Sequence, residues 1–261
     1  MKYRKKEVIP LKIFYGILLP FWGTTLGAIC ALFLKKQLRP GLCRGLSGFA
    51  AGVMTAASVW SLLIPAIDQS STLGVWAFLP AAAGLWLGVG FLALLDLLLA
   101  KCRPGRRGLS PTALLILAVT LHNLPEGMAV GLSFAVAAAQ NEPADLAAAF
   151  VLALGMSLQN FPEGAAVSLP LRSQGMGAGK AFGLGVLSGA VEPLFGLVAV
   201  LAAGSIAGAM PLVLSFAAGA MVYVVAQEMI PQATSAPHAQ AGVASILVGF
   251  WLMMLLDALL G

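Results

Sequence analysis

Charge is scarce in this chain. Only 10% of its 261 residues are charged while 60% are hydrophobic, and that ratio leaves too little polar surface to wrap a water-facing core. A soluble globular domain is excluded, and the solvent for most of the surface is lipid. Cysteine is equally thin. Cys30, Cys43 and Cys102 are isolated, odd in number and without C-x-x-C spacing, so neither a disulfide framework nor a thiolate zinc cluster is indicated. Aromatic residues make up 8%, and Trp60, Trp76, Trp86 and Trp251 read as interfacial anchors or packing, not as a cofactor cage. The net charge of +5 comes from basic residues lying between apolar segments, where they act as orientation signals; no nucleic-acid-binding module is visible.

What is present is apolar length. The first uncharged stretch, Ile13 to Leu34, has 22 residues, more than the ~7–15 of a secretory h-region, and reads as a retained membrane span. Crossing about 30 Å of hydrocarbon takes about 20 helical residues, and backbone polar groups in lipid must bond within their own segment. The sequence therefore predicts an all-α, polytopic membrane protein, a single transmembrane domain over 1–261. Eight spans are expected near 13–34, 45–67, 73–100, 109–139, 146–171, 181–203, 211–230 and 242–260. Asn141, Glu142, Pro143 and Asp145 read as the turn between the fourth and fifth. Loops after the first, third and fifth spans hold ten Lys and Arg, against five in the amino-terminal tail, which places both termini outside the cytoplasm.

Two segments recur. Phe-Ala-Ala-Gly-x-Met stands at Phe49 to Met54 and at Phe216 to Met221, and Leu-Leu-Asp-x-Leu-Leu at Leu94 to Leu99 and Leu255 to Leu260. Helices five positions apart in an alternating stack point in opposite directions, so this is the pattern of an inverted repeat between the first three and last three helices, as in many transporters.

Polar residues inside the apolar spans carry the chemistry. The fourth span holds His122-Asn123-Leu124-Pro125-Glu126-Gly127 and the fifth Gln159-Asn160-Phe161-Pro162-Glu163-Gly164. Positions i and i+4 share a helical face, so His122 lies over Glu126 and Gln159 over Glu163, with Asn123 and Asn160 one position further on. Pro125 and Pro162 crowd the carbonyls of Leu121 and Leu158 and predict kinks that free those oxygens. The sixth span adds Glu192-Pro193. An intramembrane charge costs at least about 2.5–3.5 kcal/mol, and no Lys or Arg lies in these three spans, so protons or a bound cation must neutralise the glutamates. Carboxylates, one imidazole and amide oxygens suit a divalent ion such as Zn²⁺, Cd²⁺, Fe²⁺ or Mn²⁺. Taken singly, Asn123, Gln159 and Asn160 serve equally for ligation or for interhelical hydrogen bonds. Glu228, after Gln227 in the seventh span, reads as a pathway residue. Asp96 and Asp257, near ends of the third and eighth, lie on the pathway or reach the interface. His238 reads as solvated.

With these motifs on the page, the chain resembles the ZIP (Zrt/Irt-like) family of divalent metal transporters, in particular its bacterial GufA-type branch. The resemblance implies eight spans, inverted symmetry, extracytoplasmic termini, a bacterial inner-membrane location and a homodimer. It also implies a binuclear metal centre, with His122, Glu126, Gln159 and Glu163 at one position. The second would use Asn123, Asn160, Glu192 and the two bridging glutamates, with Glu228 on the exit route. Gln159 stands where the family typically has a second histidine, and Asn160 where some members have aspartate. The function expected is uptake of a divalent metal, zinc first, by alternating access, with no cofactor beyond the transported ion. A metal-dependent intramembrane hydrolase and a proton-linked carrier of an organic solute are the alternatives; the absence of HExxH and GxSxG motifs speaks against the first.

Overall fold

The computed structural model describes residues 2–34, 39–101, 111–140, 143–235 and 239–260; within those helices the side chains of 2–10, 99–101, 111–115, 118, 121–122, 143–144 and 260 lie outside the description. Among the described residues the chain is helical, without strands. Eight rods follow one another. They are α1 (Lys2–Phe33), α2 (Pro40–Ala57, continued through Ser58–Leu63 to Ile64–Gln69), α3 (Phe78–Lys101) and α4 (Pro111–Gln140). They continue as α5 (Pro143–Ser173), α6 (Ala178–Gly189 and Val191–Ala202), α7 (Met210–Val224, continued through Val225–Met229 to Ile230–Thr234) and α8 (Ala239–Leu260).

Six of these rods, α1, α2, α3, α6, α7 and α8, contain stretches long and apolar enough to cross a membrane. The other two, α4 and α5, are the 30- and 31-residue helices that carry the polar motifs.

Several features differ from the sequence expectation: α1 begins at Lys2 and not near residue 13, and α2 at Pro40 and not near residue 45, because hydropathy marks the apolar span and not the helical turns before it. The third helix begins at Phe78, not near residue 73, because Ser71–Trp76 winds into a 3₁₀ turn in which Gly74 takes φ 58°, a conformation that side chains with a Cβ avoid. Pro143 and Asp145 belong to the first turn of α5 instead of the preceding loop; proline needs no N–H partner there, and a carboxylate favours the positive helix start. Pro125 and Pro162 do not interrupt their helices. The break falls at Ala190 in α6, where Pro193 crowds the carbonyl of Gly189. The basic runs at Lys35-Lys36 and 102–107, Asn141, Glu142 and His238 lie outside the described residues.

Burial separates the rods. Over their most apolar windows, 56% of residues are buried in both α2 and α7, against 22% in α3 and 17% in α8, so the first pair is interior and the second peripheral. The four pack crosswise, α2 on α8 and α3 on α7. At the crossings the backbones touch. Gly52 meets the Ile246 carbonyl and Gly249 the Phe49 carbonyl, while Gly219 meets the Leu85 carbonyl and Gly88 the Phe216 carbonyl. A Cβ at any of them would overlap the facing backbone, so only glycine fits. The 161 positions separating Leu94 from Leu255 also separate Leu85 from Ile246 and Gly88 from Gly249, so the two crossings use matching places in the helices that carry the recurring segments.

Both interior rods also widen into a π-helical turn just before an Ile-Pro pair, at Ser58–Leu63 before Ile64-Pro65 and at Val225–Met229 before Ile230-Pro231. The N–H of Ile64 bonds back to Val59, and that of Ile230 to Val225. Such bulges occur frequently at functional positions in helices.

Candidate metal centre

The two polar motifs meet where α4 and α5 lie side by side, and α1 and α6 close the layer. Small residues bring the backbones together. A Cβ on Gly127 would stand 2.7 Å from the Glu192 Cα, and one on Gly164 would stand 2.8 Å from the Thr24 carbonyl carbon, so α4 touches α6 and α5 touches α1 at the level of the glutamates. Asn123, Glu126, Gln159, Asn160 and Glu192 are fully buried, and Glu163 is half-buried.

The hydrogen bonds run between helices more than along them. Gln159 Nε2 donates to Glu126 Oε2 at 2.7 Å and also to Asn160 Oδ1. Asn160 Nδ2 donates to Glu192 Oε2 at 2.8 Å and to the Pro20 carbonyl at 3.3 Å. Asn123 Nδ2 donates to Glu192 Oε1 and to the Ser188 carbonyl, each at 3.2 Å. The amides therefore serve as bridges among α4, α5, α6 and α1, and Asn123 and Asn160 turn their N–H groups to Glu192, not to the glutamate of their own motif.

Four buried acceptors of this layer receive no hydrogen bond from the protein: Asn123 Oδ1, Glu126 Oε1, Gln159 Oε1 and Glu163 Oε2. Leaving a buried acceptor unsatisfied costs about 1–3 kcal/mol, so four in adjacent helices of one layer favour a bound species that takes electron pairs, whether a hydrogen-bond donor such as water or a cation. A divalent cation is such a ligand, and carboxylate and amide oxygens are donors it accepts. Among the described residues no three His, Cys, Asp or Glu side chains form a metal-holding group, and two of the four free oxygens are the amide oxygens of Asn123 and Gln159. His122 lies in α4 one turn before Glu126; its side chain is outside the described residues.

Cavities open on both sides of this layer. One, of about 480 Å³, lies among the ends of α2, α4, α5 and α8 and is lined by Ser61, Asp68, Gln69, Gln140, Asp145 and Asp257. The other, of about 170 Å³, lies among α2, α5 and α7 and is lined by Cys43, Ser47, Pro162 and Gln232. Ser47 donates to Gln232 Oε1 at 2.6 Å.

The candidate pathway residues are placed as follows. Gln227 and Glu228 are exposed and sit in the π turn of α7. Asp96 accepts a hydrogen bond from Tyr223 at 2.8 Å, and Asp257 accepts one from Ser61 at 3.1 Å. The two aspartates of the recurring segment thus each bind a hydroxyl on the rod that their own helix crosses. Asp257 faces the larger cavity, as does Trp60, which packs edge-on against Phe250 at 5.5 Å instead of anchoring at an interface.

Sequence reasoning missed Thr24, which donates to Glu192 Oε1 at 2.9 Å, and the Pro20 carbonyl beside it. The available signal was a pair of hydroxyls, Thr24-Thr25, in the middle of the first apolar span.

Comparison with known proteins shows which family the chain is similar to. The model of a family described as ZIP zinc transporter matches residues 101–257, which include both motifs, Glu192 and Glu228. Zinc transporter ZIP11 of Xenopus tropicalis is 37% identical, over 92% of this chain and 95% of that protein. Zinc transporter ZIPB of Bordetella bronchiseptica is 39% identical, over 92% of this chain and 79% of that protein. Zinc transporter GufA of Myxococcus xanthus is 37% identical, over 92% and 95% respectively.

Proposed function

The chain belongs to the ZIP zinc transporter family, and from that membership we propose that it carries a divalent metal, zinc first, into the cytoplasm through the polar layer of α4, α5 and α6. Proteins of this family are transporters, not enzymes, which removes the hydrolase alternative. The chain is a multi-pass membrane protein with six strongly apolar rods. In our reading α4 and α5 cross as well, giving eight spans with both termini outside a bacterial inner membrane. Their polar residues are tolerable there because they face neighbouring helices and the ion.

The observation that carries the proposal is the set of four buried oxygens without a protein donor, on Asn123, Glu126, Gln159 and Glu163. In this reading Glu126, Gln159 and Glu163, with His122, hold the ion, and Asn123, Asn160 and Glu192 close the site towards α6. Cadmium, iron and manganese ions fit the same donors. The larger cavity, with Asp68, Asp145 and Asp257, is the entry, and Gln227 and Glu228, with Asp96 nearby, lie on the exit.

Alternating access follows from how the rods pair. α1 packs on α5 and α6, and α4 packs on α6, while α2 pairs with α8 and α3 with α7. We take the first group as the body that carries the ion and the second as the frame against which it moves. An inverted repeat relating α1–α3 to α6–α8 is supported by the matched glycine crossings, the two π turns and the two aspartate–hydroxyl pairs. Assembly as a homodimer is the part of this reading that rests on the family resemblance.

Zinc uptake into vesicles reconstituted with the purified chain tests the proposal. Flux is expected with the native chain and only background leak with Glu126→Ala or Glu163→Ala. Normal flux in both variants would refute the site. A chain that binds no metal but moves an organic solute with protons would restore the remaining alternative.

A further inference from the structure

The rod that carries Glu192 is in two pieces. Ala178–Gly189 and Val191–Ala202 are separate helices, and between them the Ala190 N–H bonds the Leu187 carbonyl at 3.2 Å, a turn of three residues where an α-helix uses four. Pro193 has no N–H to offer the Gly189 carbonyl, so the helical hydrogen-bond series stops there. A short 3₁₀ turn inside a helix often marks a hinge. The two pieces also rest on different neighbours. The first lies mainly on α1 and α5: a Cβ on Gly185 would meet Ala28 and Ser168, and one on Gly189 would meet Thr24. The second lies mainly on α4, whose Gly127 and Gly131 meet the backbones of Glu192 and Gly196. A shift of α4 against α1 and α5 is therefore taken up at Ala190.

One side chain spans the break. Asn123 Nδ2, on α4, donates to the Ser188 carbonyl before it and to Glu192 Oε1 after it, each at 3.2 Å. Asn123, Ser188 and Glu192 are all fully buried, where a hydrogen bond is stronger than in water. The other end of the same amide, Oδ1, is one of the four oxygens that no protein donor reaches. Those four divide evenly, Asn123 and Glu126 on α4 and Gln159 and Glu163 on α5. Oxygens of like partial charge repel, and a cation shared between the two pairs draws α4 towards α5. It also polarises the Asn123 amide, so that its N–H group binds Ser188 and Glu192 more firmly. Three hydrogen bonds on the Glu192 carboxylate leave room among its about four lone-pair sites for an ion as well.

We infer that the break in α6 is a joint set by the occupant of the polar layer, and that Asn123 is the positioning residue that transmits it. The Asn123 oxygen meets the ion, and its N–H group ties the two pieces of α6 to each other. Without metal the joint is loose; with metal it is locked, and Glu192 is held against α4. The inference rests on the transport reading, because it presupposes that metal binds in this layer. It adds a moving part inside the body that carries the ion.

Hydrogen–deuterium exchange of the purified full-length chain in detergent, with Zn²⁺ and with chelator, tests the joint, and elemental analysis gives the bound zinc in parallel. Zinc is expected to slow exchange of the 188–192 amides about ten-fold, as for one added hydrogen bond opposing local opening, and to leave 196–202 unchanged. Pro193→Ala gives the Gly189 carbonyl its missing donor, so there the same amides should be slow with or without zinc. Asn123→Asp keeps an oxygen for the ion but has no N–H, so saturating zinc should leave its joint as loose as in the metal-free chain. Bound zinc without slowing at 188–192, equal slowing along all of 178–202, or a full zinc effect in Pro193→Ala overturns the joint. A full zinc effect in Asn123→Asp overturns the role of Asn123. Each of these results leaves the transport reading in place, whereas a native chain that binds no zinc overturns that reading and this inference together.

Discussion

Glu126 and Glu163 close equivalent motifs on neighbouring helices, yet their surroundings differ. Glu126 is fully buried and receives the Gln159 amide, whereas Glu163 is half-buried with its Oε2 free. Both present an open oxygen, so each should be indispensable to ion binding, and in uptake assays Glu126→Ala and Glu163→Ala should both fall to leak. Replacing Gln159 by Ala removes one proposed oxygen ligand and the donor to Glu126, but leaves both carboxylates. It should therefore weaken zinc binding about ten-fold or more without abolishing it, as titration of the purified variant would show. The motifs made Glu126, Gln159 and Glu163 legible as candidate ligands. The direction of each amide was not legible, because an asparagine offers a donor and an acceptor at once, and which one faces inward depends on partners from other helices.

At the scale of helices, the glycine crossings are the feature most open to test. Gly52 and Gly219 stand at matching places, each against a backbone carbonyl of the helix it crosses. Valine at either position forces the pair apart, and overpacking of this kind costs about 1–3 kcal/mol. Thermal unfolding in detergent should show Gly52→Val and Gly219→Val destabilised to a similar degree. A large loss in one and none in the other would separate the two crossings and count against the repeat. Gly90, which faces open space in the same peripheral helix as Gly88, should tolerate alanine with little change. The sequence located these helices, but hydropathy marks the apolar span and not the helical ends, so α1 begins at Lys2 and not near residue 13, and α2 at Pro40 and not near residue 45. Leu73, Val75 and Trp76 are apolar enough to extend the third span, but Gly74 at positive φ diverts the chain into a 3₁₀ turn first. The π turns left no sequence signal beyond the Ile-Pro pairs that follow them.

For the molecule as a whole, two expectations follow from the ion site and the arrangement of charge around the rods. At the proposed site protons and zinc would compete for the same carboxylate oxygens, so binding of metal would release protons. Acidifying the side from which metal loads should therefore raise the KM for zinc, and alkaline pH should lower it until the ligands are free of protons; uptake measured across imposed pH steps checks the sign. The proposed orientation, with the loops after the first, third and fifth spans in the cytoplasm, rests on their excess of Lys and Arg. Protease or impermeant-label access to tags on the two termini of intact cells should accordingly reach both from outside, and protection of either would reverse the orientation.

Composition and spacing alone determined that the chain lives in lipid, that it is helical, that segments recur in it, and which side chains are the candidates for its chemistry. Those properties are local: a run of apolar residues, a proline and a glutamate four residues after a histidine need no partner to be read. Only the tertiary structure decided which oxygens remain free and which are consumed. Thr24 and Glu192 are 168 positions apart, and no periodicity in either helix announces that one will hold the other. Their pairing exists because Gly164 and Gly189 let three helices approach closely enough for a hydroxyl to reach a carboxyl, and close approach is a property of packed surfaces that a single strand of sequence does not contain.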